Sequence, residues 1–79
     1  MINLTEREKE VMQLVSLGLN NEEIQNKLHI SKSTMNTHMH NIYSKYLLEM
    51  ENTRDRSVLR LRLVLKWYGL IYRRIKWIF

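Results

Sequence analysis

"LNNEEIQNKLHISKSTMNTHMHNIYSK", residues 19–45, reads as two short helices joined by an abrupt turn. Asn20 stands where an N-cap belongs. Glu23, three residues on, completes a capping box, and Leu19 is placed to staple against Ile24. This helix is about two turns long and directs Ile24 and Leu28 inward. Ser31 opens the next helix, with Ile30 and Met35 as its staple. Only His29 and Ile30 separate the two, so they must cross steeply, which is the helix-turn-helix arrangement.

The second helix of the pair is two-faced. At ~100° per residue, Met35, Met39, Ile42, Tyr43 and Tyr46 fall within one arc of about 100°. Ser33, Asn36, Thr37, His40, Asn41 and Ser44 occupy the opposite side. Exposed helix faces usually carry Glu and Lys, whereas this one offers amide, hydroxyl and imidazole groups. Asn pairs bidentately with adenine, and Thr and His hydrogen-bond or pack at base edges. The bland alternative is a face that is only solvated.

Outward from this unit, "LTERE" at residues 4–8 supplies another capping box through Thr5 and Glu8. Val11, Leu14 and Val15 follow as an apolar stripe, and Gly18 sits where a left-handed cap belongs. At the other end, "RSVLRLRLVLKWYGLIYRRIKWIF", residues 56–79, first alternates like a strand from Leu59 to Leu63. The alternation stops there. Leu61, Val64, Leu65, Tyr68, Ile71, Tyr72, Ile75, Ile78 and Phe79 keep a three-four spacing that predicts a helix. Gly69 is either a cap between two helices or a tolerated weak point. With no proline and only two glycines, the expected fold class is all-α: a four-helix helix-turn-helix domain with an extended C-terminal helix or an additional short helix.

The chain has 79 residues and no cysteine, so residues 1–79 are expected to form a single domain. A chain this short buries only ~60% of its extended surface, and without disulfides its remaining support is oligomerisation. The lack of cysteine and the charged start "MINLTEREKE" fit a cytoplasmic protein without a signal peptide. The net charge of +5 is unevenly spread: residues 53–79 hold eight basic side chains against Asp55, whereas residues 1–52 hold five against seven acidic ones. Basicity of this kind points to nucleic acid, anionic lipid or an acidic partner. His38 and His40 lie two apart, about 200° around a helix, and cannot share an ion. No metal or cofactor is expected. Nor is catalysis, because Ser31, Ser33 and Ser44 lack a strand-turn setting and a bundle this small offers little cleft.

Residues 4–45 resemble the LuxR/GerE-type helix-turn-helix of bacterial transcription regulators. The likeness runs through Leu4-Thr5 with Arg7-Glu8, Gly18-Leu19, Glu23-Ile24, Leu28, Ile30-Ser31, Thr34, His38, Asn41-Ile42 and Lys45. It implies a four-helix domain whose third helix enters the major groove and whose fourth dimerises, in the free-standing, GerE-like form. By this resemblance Asn36, Thr37 and His40 read bases, while Lys32, Ser33, Thr34 and Lys45 contact the DNA backbone. Residues 53–79 would be a dimerisation helix and tail. The chain departs from the family pattern at Gln25, where alanine is usual, and at Asn36 and His40, where lysine or arginine is common.

The leading expectation is therefore a bacterial transcription regulator that binds double-stranded DNA as a homodimer. The dimer seam would draw on Leu61, Val64, Leu65, Tyr68, Ile71 and Tyr72. Arg62, Lys66, Arg73 and Lys76 would align along the other side of the same helix, if it continues through Gly69, to touch flanking phosphate or keep the tail soluble. One alternative is a sigma-factor-like promoter-recognition module. Another is a protein-interaction module that keeps the fold and binds RNA polymerase or another regulator. A lesser one is a membrane-surface protein using the cationic amphipathic tail.

Overall fold

Each helix begins where the sequence offers an oxygen to cap it. A computed structural model describes residues 3–46 and 55–69, which form α1 (Glu6–Ser16), α2 (Asn21–Leu28), α3 (Lys32–Lys45) and α4 (Arg56–Trp67). The boxes at Thr5/Glu8 and Asn20/Glu23 are both closed reciprocally, and the Ser31 hydroxyl accepts from the Thr34 amide. Asp55, which the sequence reading had not assigned as a cap, accepts from the amides of Ser57 and Val58. Gly18 adopts φ 92°, the left-handed turn that lets the chain leave α1.

The tight corner between α2 and α3 has an unexpected pivot. His29, not a glycine, takes the left-handed conformation there, at φ 56° and ψ 47°. The Ile30 amide then donates back to the Gln25 carbonyl at 3.0 Å and closes the end of α2. The tight corner expected from the two-residue spacing thus rests on a residue that bears a Cβ.

The core is shared by all four helices. Val11, Met12, Ile24, Met35, Ile42 and Leu63 are fully buried, with Leu4, Val15, Met39 and Tyr46 nearly so. The inward arc expected for α3 is present, with Tyr43 half-buried, and Leu14, Leu19, Leu28 and Ile30 pack against the core from other elements.

On α4 the apolar stripe divides between the core and the surface. Leu63 is its fully buried residue, flanked by Leu59, Val64 and Trp67 against the core, while Leu61 and Tyr68 remain 60% and 56% exposed. Leucine at 59, 61, 63 and 65 makes both sides of the helix apolar, so spacing alone does not choose between them. The choice is made by polar ties. Arg60 donates to the Leu19 carbonyl and to Asn21 Oδ1, both at 2.8 Å, and Lys66 donates to the Tyr46 carbonyl at 3.2 Å. These contacts turn the Leu63 side onto α1. The helix also ends at Trp67, capped at Tyr68, with Gly69 left-handed at φ 73°. Gly69 is therefore a cap and not a weak point inside one long helix, which removes the condition for aligning Arg62 and Lys66 with Arg73 and Lys76. An additional short helix, and the expected roles of Ile71 and Tyr72, fall outside the described residues.

Candidate nucleic-acid interface

The exposed side of α3 carries the expected reading residues together. Asn36, Thr37 and His40 are all exposed, His38 is half-buried at the edge of the face, and Asn41 continues the polar side. The Thr37 hydroxyl donates to the Ser33 carbonyl at 3.0 Å. Its proton is thus committed to the helix, leaving its oxygen lone pairs and methyl group for a ligand.

At the start of α3, Ser31 Oγ lies 3.0 Å from Thr34 Oγ1 and 3.3 Å from Ser33 Oγ. Lys32, Ser33 and Thr34 are exposed around this N-terminus. Amides at a helix start and a nearby ammonium suit an anionic oxygen.

Lys45, the other expected backbone contact, has a different neighbour. Its Nζ is 2.5 Å from Glu8 Oε1, joining the end of α3 to the start of α1. The same oxygen accepts from the Thr5 amide at 2.9 Å. Burial works to raise the Glu8 pKa, but the Lys45 hydrogen bond and charge and the Thr5 hydrogen bonds outweigh it, so the carboxyl sits below its ordinary value. Nothing in the apolar spacing of α1 anticipates a buried glutamate. The capping box gives Glu8 a complete local role, and its partner lies 37 residues away.

The exposed α3 face is also not an isolated ridge. Beside it lies an open concavity of about 540 Å³, walled by Asn36, Met39, His40 and Tyr43 of α3, Asn21 of α2, and Arg56 and Arg60 of α4. Burial raises the Tyr43 pKa, and the charges of Arg60 and Arg56 partly offset this. The phenol therefore stays protonated at neutral pH. In the sequence these arginines belong to the general basicity of residues 53–79. Their position beside Asn36 and His40 depends on how α4 is rotated, which residue spacing does not reveal.

Among the described residues, no cluster of three or more His, Cys, Asp or Glu is placed to hold a metal ion. No helix there is long and apolar enough to cross a membrane.

Two short capped helices, a tight corner and an outward polar second helix, braced by α1 and α4, define a helix-turn-helix domain. The family model for bacterial regulatory proteins of the luxR family, GerE, matches residues 2–59. The chain belongs to that family. It is 49% identical over 45 residues to the transcriptional regulatory protein LnrK of Bacillus subtilis, a match covering 57% of this chain and 20% of LnrK. It is 45% identical over 53 residues to the uncharacterized transcriptional regulatory protein YxjL of the same organism, covering 67% of this chain and 22% of YxjL. The response regulator protein VraR of Staphylococcus aureus is 48% identical over 42 residues, 53% of this chain and 20% of VraR. The matches thus cover about a fifth of the length of these relatives. No solved structure matches the chain.

Proposed function

We propose that this domain is the DNA-binding part of a cytoplasmic bacterial transcription regulator, and that α3 reads duplex DNA in the major groove. The observation that carries this reading is the α3 face itself. Asn36, Thr37 and His40 stand exposed and hydrogen-bond capable on a helix whose other side is anchored by Met35, Met39 and Ile42. Luxury of this kind on a solvated face has no packing purpose, and base edges are the ligands that match it. Lys32, Ser33 and Thr34 would take phosphate at the N-terminal end of α3. Lys45 would act mainly by holding α3 on α1 through Glu8.

The reading includes a homodimer. Leu61 and Tyr68 project from α4 away from Leu63, with Leu65 on the same side by helical angle. A second copy meeting this strip across a two-fold axis would place two α3 helices about one DNA turn, ~34 Å, apart. Selection from random duplexes by the full chain, followed by titration of the recovered site, tests the proposal. A roughly palindromic consensus bound far more tightly than unselected duplex supports it. Failure to enrich any sequence argues for the interaction-module alternative.

A further inference from the structure

DNA affinity comes chiefly from neutralising phosphates, yet the α3 reading face carries no lysine or arginine. Lys32 stands at one end of α3, and the Lys45 ammonium at the other is held by Glu8. Positive charge reaches this face from α4 instead. Arg56 and Arg60 form one wall of the concavity, and Asn36, His40 and Tyr43 form the other.

The two arginines are not equivalent. Arg60 is fixed by the Leu19 carbonyl and Asn21 Oδ1, so it serves as a positioned charge lining the concavity. Arg56 is exposed, and no hydrogen bond or ion pair among the described residues holds its guanidinium. The nearby Asp55 carboxylate is turned to the amides of Ser57 and Val58. A helix lying in the major groove is flanked on both sides by the sugar-phosphate strands that border it. A cation beside the reading helix therefore meets backbone, and guanidinium matches phosphate bidentately.

We propose that the concavity between α3 and α4 seats a backbone phosphate of bound duplex, gripped by Arg56 with Arg60 on the same wall. α4 then contributes to DNA contact as well as to the core. This rests on the DNA-binding reading above.

The test is the salt dependence of duplex binding by the full chain, followed by fluorescence anisotropy, for wild type, Arg56→Gln, Arg56→Lys and Lys9→Gln. Both the duplex recovered by selection and an unselected duplex are used. Lys9 is exposed on α1 and paired with Glu6, remote from the concavity, so it controls for net charge. Arg56→Gln should lower the slope of log K against log salt by ~0.9 on both duplexes and weaken binding roughly tenfold at low salt, with melting temperature unchanged. Arg56→Lys should keep the slope and lose part of the affinity, and Lys9→Gln should match wild type. An unaltered slope for Arg56→Gln while wild type binds DNA overturns the phosphate seat and leaves the DNA reading standing. No duplex binding by wild type removes both. A parallel NMR titration with inorganic phosphate separates the sources: resonance shifts at Arg56 without a change in the DNA slope would assign the concavity to a free anion and overturn its assignment to DNA.

Discussion

Lys45, at the end of α3, donates to the buried carboxylate of Glu8 on the first turn of α1, 2.5 Å away. The Glu8 side chain is only 4% exposed and that of Lys45 34%, so the bond is shielded on one side and open on the other. It ties the end of α3 to the start of α1, and with it the exposed polar face of α3 to the rest of the domain.

This ion pair sets an acid limit on the fold. The folded Glu8 pKa lies below its unfolded value, so ionised Glu8 favours the native state at and above the ordinary carboxylate range. That contribution is lost as pH falls through the lower folded value. Urea unfolding from pH 7 down to pH 3 should show stability dropping below about pH 4.5, with a smaller drop in Glu8→Gln. At neutral pH, Lys45→Met should cost about 1–3 kcal/mol through the loss of a charge-assisted bond to a buried acceptor. A pH profile identical in wild type and Glu8→Gln would show that another carboxylate governs acid unfolding.

The corner of the helix-turn-helix carries a removable penalty. A left-handed residue with a Cβ costs roughly 1–2 kcal/mol; glycine would remove that cost, offset by about 0.5–1 kcal/mol for the greater freedom it loses on folding. His29→Gly should therefore stabilise the domain by about 0.5–1 kcal/mol in thermal unfolding, while His29→Val should destabilise it. A destabilised His29→Gly would mean that the imidazole makes a contact worth more than the strain.

On α4 the two leucine sides are expected to separate fold from assembly. Leu63→Ala should cost about 2–5 kcal/mol by opening a cavity in the core. Leu61→Ala should change monomer stability by less than about 0.5 kcal/mol but shift the sedimentation equilibrium of the full chain toward monomer. Equal sedimentation of wild type and Leu61→Ala would take Leu61 out of the proposed dimer seam.

Much of this fold is legible in the sequence because its signals are local. Thr5/Glu8, Asn20/Glu23 and Ser31 mark helix starts by chemistry acting within three residues. The α3 arc from Met35 to Tyr46 is equally legible because its other face is polar. The rotation of α4 is not, since leucine occupies both sides and the deciding contacts of Arg60 and Lys66 reach carbonyls far away in the chain. The burial of Met12 and Glu8 on α1 is not legible for a related reason: a narrow stripe of Val11, Leu14 and Val15 satisfies helical spacing without them. The proposed reading residues Asn36, Thr37 and His40 are legible as an outward group. Their concavity is not, because its second wall comes from α4.

The most direct measurement for the central claim is sequence selection from random duplexes by wild type and by Asn36→Ala and His40→Ala. If α3 reads bases, each variant should lose about 1–3 kcal/mol of discrimination at particular base pairs and accept other bases there, while the rest of the consensus is kept. The same consensus, with the same discrimination at every position, recovered by wild type and both variants would contradict the claim.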